Sequence, residues 1–249
     1  MDLAQQENNM GKIYFDGCSY TFGQGLELYC NPLDKFDYTR QREYEYTEED
    51  LTFIRKNRYS GIVANTLNLI ETNKSYNGKS NGEILYDLEN ENLDEYKFVI
   101  IQLTHFNRFF NIHDKFGKVY WNSDIPTLDF VFKNGIFTKE EIQNTVLRIE
   151  KIQYNYFLKL EKIFENQPQK LKIVFHSDEW ETVLNSQEIE KFGINIEGEY
   201  MIRKWANYND KFINRQPQWK EHPATVSDSH LIIEGHQKIA EAILNSINQ

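Results

Sequence analysis

The chain has 249 residues, of which 40% are hydrophobic and 14% aromatic. That supplies one sizeable α/β core and excludes a disordered chain. A formal net charge of −10 excludes bulk electrostatic binding to nucleic acid or to an anionic membrane, but not a small basic pocket.

The first ten residues are polar and read as a tail, without the apolar centre of a signal peptide. No stretch approaches the ~20 apolar residues of a membrane-spanning helix, so the sequence predicts a soluble, cytoplasmic protein. The short apolar run at 12–15, closed by Gly17, predicts a buried first strand, and Gly23 and Gly25 a turn. Residues 28–58 are dense in charge and tyrosine. They read as an insertion with one helix over 47–56, either a solvated excursion or a rim over a pocket. Ser60 caps a helix running to about residue 70, with Ile62, Val63, Leu67 and Ile70 as its apolar positions. Residues 73–81 form a polar loop leading into a helix over 81–88. The nearly continuous apolar run at 97–103 fits a central parallel strand buried on both faces.

An irregular, aromatic-rich stretch covers 104–137. Thr138 and Glu141 then make a capping box for a long helix over 139–165. Residues 171–175 form the next buried strand. Residues 177–226 show little periodicity beyond a short strand at 200–202, and an amphipathic helix covers 231–247. Strands alternating with helices imply βαβ units and a mostly parallel sheet. The chain therefore reads as one domain over 1–249 with insertions at about 28–58 and 104–137.

Four constellations carry chemistry. In FDGCSYTFG, Ser19 lies just past the first strand, where open parallel sheets bind ligands. Gly17 allows a tight turn, and backbone N–H groups beyond it suit an oxyanion; the alternative for Ser19 is a helix N-cap. In DSHLIIEGH, Asp228 stands two residues before His230. An imidazole so oriented takes a proton from a serine hydroxyl near neutral pH; the alternative is that Asp228 or Ser229 caps the last helix. In NKSYNGKSN, Gly78 opens a helix with backbone N–H groups suited to an anion, or is an ordinary turn. In LTHFNR, Thr104, His105, Asn107 and Arg108 crowd the end of the strongest strand.

In order and spacing this set resembles the SGNH/GDSL hydrolase family, from about residue 12 to 246. The first block reads GCSYTFG, the second NKSYNGKSN and the last DSHLIIEGHQKIAEAI. The resemblance implies a three-layer αβα, flavodoxin-like fold with about five strands. It implies Ser19 as nucleophile, Asp228 and His230 as its relay, and the backbone N–H groups of Ser19 and Gly78 in the oxyanion hole. It implies no metal or organic cofactor. The expected activity is hydrolysis of a carboxylic ester with a small acyl group, O-acetylated carbohydrate being one candidate. Transfer of the acyl group to a sugar hydroxyl, or binding without catalysis, are the rivals.

The third block departs from the family. Its usual Gly-x-Asn-Asp is replaced by THFNR, with Phe106 at the Asn position and Asn107 one residue late. Asn107 or Thr104 then supplies the third oxyanion donor, or the hole is incomplete. The Asp-x-His spacing is one residue short of the commonest form. Cys18 replaces the acidic residue before the serine and reads as a small buried hydrophobe. Cys18 and Cys30 form no CxxC pair and have no histidines at zinc-ligand spacing. His176 reads as packed or surface-lying, the alternative being that it faces the same pocket; His236 reads as structural or solvent-facing; and Trp205 and Trp219 read as core, the alternative being sugar stacking near the cleft.

Overall fold

The computed structural model describes residues 11–29, 46–106, 112–113, 119–120, 139–208 and 230–248. Strand β1 (Lys12–Asp16) leads into a four-residue helix, α1 (Ser19–Phe22). Helix α2 (Glu48–Asn57) starts from a capping box in which Thr47 and Asp50 exchange hydrogen bonds. Helix α3 (Tyr59–Thr66) follows, then β2 (Ile70–Asn73) and α4 (Asn81–Glu89). Strand β3 (Tyr96–Leu103) is the longest among the described residues. The short antiparallel pair β4 (Ile112–His113) and β5 (Val119–Tyr120) falls inside the second predicted insertion. Helix α5 (Lys139–Ile163), β6 (Leu171–Phe175), α6 (Ser186–Phe192), α7 (Ile202–Tyr208) and α8 (Ile233–Ile247) complete the chain.

The main sheet is parallel, in the order β2-β1-β3-β6. Alternation along the strands divides the core into two layers. Tyr14, Val99, Ile101, Leu103, Ile173 and Phe175 pack with Ile84 and Leu88 of α4 and Phe157 and Leu160 of α5. Ile13, Phe15, Ile100 and Val174 pack on the other side with Val63 of α3 and Ile239 and Ile243 of α8. Each such aliphatic or aromatic side chain contributes about 1.5–3 kcal/mol when fully buried. The result is the three-layer αβα arrangement expected, with helices on both faces of a flavodoxin-like strand order. Among the described residues no helix is long and apolar enough to cross a membrane.

Three expectations need correction. The fifth strand is reduced to two isolated parallel bridges on the outer side of β6, Ile173 to Gly193 and Phe175 to Met201. The strand expected at 200–202 is thus a single bridging residue, after which α7 begins. The helix expected to run from a Ser60 cap to residue 70 starts instead at Tyr59 with Arg58 in the cap position, and it stops at Thr66, because Asn68 turns left-handed (φ 52°) and releases the chain into β2. Third, the last helix starts at Ile233 with Ile232 in the cap position, so neither Asp228 nor Ser229 is its cap.

Candidate active site

The crossover from β1 goes to β2 on one side and from β2 to β3 on the other. The gap between β1 and β3 is therefore the switch point where such sheets bind ligands. Ser19 lies there. It is the first residue of α1, with Cys18 as the cap, so its own side chain is not used for capping. It is 3% exposed. Its Oγ donates to Cys18 Sγ at 3.9 Å, and that thiol donates to Gln102 Oε1 at 3.5 Å. Contacts to sulfur of this length are weak, so the hydroxyl proton is loosely committed.

The turn that presents Ser19 is held from β3. Gln102 Oε1 accepts from the Thr21 backbone N–H (3.2 Å) and from Thr21 Oγ1 (2.7 Å). Only glycine fits at 17, since a Cβ there would collide with Thr21 Oγ1 and lie 2.7 Å from Gln102 Cβ. Thr21 Oγ1 also meets the Tyr59 hydroxyl at 2.5 Å. Burial pushes that phenol far above its ordinary range, so it stays protonated. Behind Tyr59 lies His236, fully buried, whose Nδ1 accepts the Tyr59 backbone N–H at 3.4 Å. Burial above all, then the neighbouring charges of His230 and Arg58, drives the His236 pKa down to about 3. It is structural, as one of its two expected roles had it.

His230 is half-buried just before α8. Its ring lies 5.3 Å from that of Tyr20, the residue after Ser19. Tyr20 also meets His176 edge-on at 4.5 Å, and His176 meets His105 at 4.2 Å. His176 is thus packed, buried against the rings of Tyr20 and His105. His105 is held at both nitrogens. Arg203 Nη1 lies 3.2 Å from Nε2, and an arginine only donates, so the ring proton sits on Nδ1, facing Glu179 Oε2 at 3.2 Å. Burial opposes the charged form of Glu179. Hydrogen bonds from His105, the Phe106 N–H (3.0 Å) and Ser177 Oγ (2.9 Å) outweigh it and hold the carboxyl below its ordinary value.

The end of β3 is equally fixed. Asn81 at the start of α4 accepts the Thr104 N–H (2.7 Å) and donates to the Thr104 carbonyl (3.2 Å) and to Gln153 Oε1 (2.8 Å). Gln153 in turn donates to the Phe106 carbonyl at 3.0 Å, and Trp180 Nε1 to that of Thr104 at 3.1 Å. The buried Thr104 Oγ1 has no hydrogen-bond partner among the described residues.

Gly78 lies in the loop between β2 and α4 with φ 82°, a conformation that favours glycine. Ser80 caps α4 through a reciprocal box with Glu83. Between them, Lys79 is wholly buried. Its Nζ reaches Asp16 Oδ1 (2.6 Å) and Oδ2 (2.8 Å), Asp87 Oδ2 (2.5 Å) and the Lys74 carbonyl (3.0 Å). Asp16 also accepts from the Gly17 N–H at 2.7 Å and from the Tyr14 hydroxyl at 3.2 Å. Burial raises the Asp16 pKa to about 6, against the pull of Lys79.

Asp228 and Asn107 lie outside the described residues, as do Arg108, Cys30 and Trp219. Cys18 is a buried residue, as expected, and Trp205 a core residue. Among the described residues no group of three or more His, Cys, Asp or Glu side chains is placed to hold a metal. Sequence reasoning missed Gln102, Lys79, Asp16, Glu179 and Arg203. The signal available for the first was a polar residue interrupting the apolar run at 98–103.

No family model matches the sequence, and no curated protein matches it. Among solved structures, the chain is similar to an α/β hydrolase enzyme from the metagenome of Lake Arreo, Spain (13% identity, 96% of this chain and 95% of that chain, TM-score 0.38). It is similar to a catalytic mutant of an acetylxylan esterase from Geobacillus stearothermophilus (14% identity, 96% and 94%, TM-score 0.39). A GDSL-like lipase from Bacteroides thetaiotaomicron also matches (10% identity, 99% and 90%, TM-score 0.38).

Proposed function

We propose that the chain is a serine hydrolase that cleaves a carboxylic ester carrying a small acyl group. One observation carries this reading. The residue after Ser19, at the switch point, packs its ring against His230, which stands more than two hundred positions later in the sequence. In this reading His230 takes the Ser19 proton as Oγ attacks the ester carbonyl, and Asp228 holds the imidazole and balances its charge. The backbone N–H groups of Ser19 and Gly78 receive the oxyanion. Collapse of the tetrahedral adduct expels the alcohol, which takes the proton from His230. Water, deprotonated by the same imidazole, then releases the acid from Ser19. Asn107 is one candidate for a third oxyanion donor. The buried Thr104 hydroxyl is the other, and its lack of a hydrogen-bond partner among the described residues favours it. An O-acetylated carbohydrate is the proposed substrate class.

The test is labelling by a fluorophosphonate and release of p-nitrophenol from its acetate, with Ser19→Ala and His230→Ala alongside. Label and turnover are expected to vanish in the first and collapse in the second. A folded wild-type protein that neither labels nor turns over sinks the hydrolase reading in favour of a binding module. Asn107→Ala beside Thr104→Val identifies the third donor, whose loss is expected to lower kcat by about 10²–10³-fold.

A further inference from the structure

Lys79 directly follows the proposed oxyanion glycine, and Asp16 stands three residues before the proposed nucleophile. Both are wholly buried, and their side chains are in direct contact at 2.6 and 2.8 Å. A buried ammonium is costly unless its donors are matched. Lys79 matches them with Asp16 on β1, Asp87 on α4 and the Lys74 carbonyl at the start of its own loop. Asp16 also accepts from the Tyr14 hydroxyl and from the Gly17 N–H, the latter at the root of the Ser19 turn. The 74–80 loop has other ties at its start: the Lys74 N–H donates to the Phe15 carbonyl (2.9 Å), and Asn73 Oδ1 accepts the Ser75 N–H (2.9 Å). At the glycine end, Lys79 is the residue that reaches back to β1.

We propose that Lys79 is a positioning residue that fixes the Gly78 amide relative to Ser19 by clamping the 74–80 loop onto Asp16. The inference rests on the hydrolase reading above. It assigns work to a lysine that touches no substrate. The clamp acts on the transition state, because an oxyanion donor is engaged only as negative charge develops on the carbonyl oxygen. Its loss therefore lowers kcat and spares KM. Misplacement of such a donor by about 1 Å costs up to about 10²-fold.

The experiment compares wild type, Lys79→Met and Asp87→Asn by kcat and KM for p-nitrophenyl acetate and by amide exchange over 74–80. Lys79→Met keeps the length of the side chain and removes the charge. Asp87→Asn leaves the Lys79–Asp16 contact in place, and the Asp87 side chain is 35% exposed, so this variant folds even if the first does not. The expected result is a kcat about 10- to 100-fold lower in Lys79→Met with KM unchanged. A smaller fall is expected in Asp87→Asn, with faster exchange at 74–80 in both. Active wild type with an unchanged kcat in the folded variants overturns the clamp and leaves the hydrolase reading standing. Equal falls in turnover without faster exchange at 74–80 also overturn it. Inactive wild type overturns both, and the control shows it at once.

Discussion

The turn carrying Ser19 is fixed from both faces of β1, by opposite means. On the side of α3 and α8 the partners are neutral: Gln102, Thr21, Tyr59 and His236. On the side of α4 they are ions: Asp16, Lys79 and Asp87. The neutral set is cheap to bury and tolerates imperfect satisfaction, as the unpartnered Gln102 Nε2 and His236 Nε2 among the described residues indicate. The ionic set is expensive to bury and holds only when complete. A neutral network thus suits a shape that is already dictated locally, such as a tight turn. An ionic one suits a distance between two separate loops, where direction and strength matter more than cost.

The largest test of this contrast is on the ionic side. Lys79→Met is expected to lower stability by about 3–5 kcal/mol in urea unfolding, since it leaves the buried Asp16 carboxylate unmatched. Adding Asp16→Asn should return part of that loss, and a double-mutant cycle measures the coupling. If the two losses simply add, the ionic face is not a unit. On the neutral side Gln102→Leu strands the Thr21 and Cys18 donors and is expected to cost about 1–3 kcal/mol.

Acid separates the faces by sign. His236 is neutral in the fold with a pKa of about 3 and takes a proton near 6.5 when unfolded. Its contribution is present above pH 6.5 and is lost as pH falls towards 3, by about 1.4 kcal/mol per unit. Asp16 runs the other way: with a folded pKa of about 6 against 3.8, its contribution is present below 3.8 and is lost as pH rises through 6. Between pH 6 and 4, His236→Gln should flatten the acid loss of stability and Asp16→Asn should steepen it, read from melting temperatures. Identical slopes would erase the distinction. The smallest expected effect is that of Tyr59→Phe, about 0.5–1.5 kcal/mol for one hydrogen bond to Thr21.

The first, third and last strands of the main sheet and the long helices were legible because apolar period and turn chemistry are local. Residues 97–103, 139–163 and 171–175 announce themselves through nearly continuous apolar runs or a clear 3.6-residue repeat. β2 escaped notice because Ile70–Asn73 has one apolar residue and gains its state by pairing with β1. Helix α6 was missed although Asn185 and Glu188 form a capping box, a signal present in the sequence. The two bracing networks could not be read at all. Asp16 and Lys79 are 63 positions apart and Thr21 and Gln102 81. Their meeting follows from strand order and register, which no local pattern contains.

The two margins of the sheet carry a last consequence. An exposed ladder of unpaired N–H and C=O groups is a template on which another molecule lays down a strand. Here one margin, β2, is four residues long and carries Glu71, paired with Arg58 at 2.9 Å. At the other, the Ile173 carbonyl accepts the Ile194 N–H (2.9 Å) and the His176 carbonyl accepts the Arg203 N–H (3.0 Å). The withered fifth strand therefore acts as a guard: it extends the sheet hardly at all, yet occupies the acceptors that a foreign chain would need to begin intermolecular β-assembly.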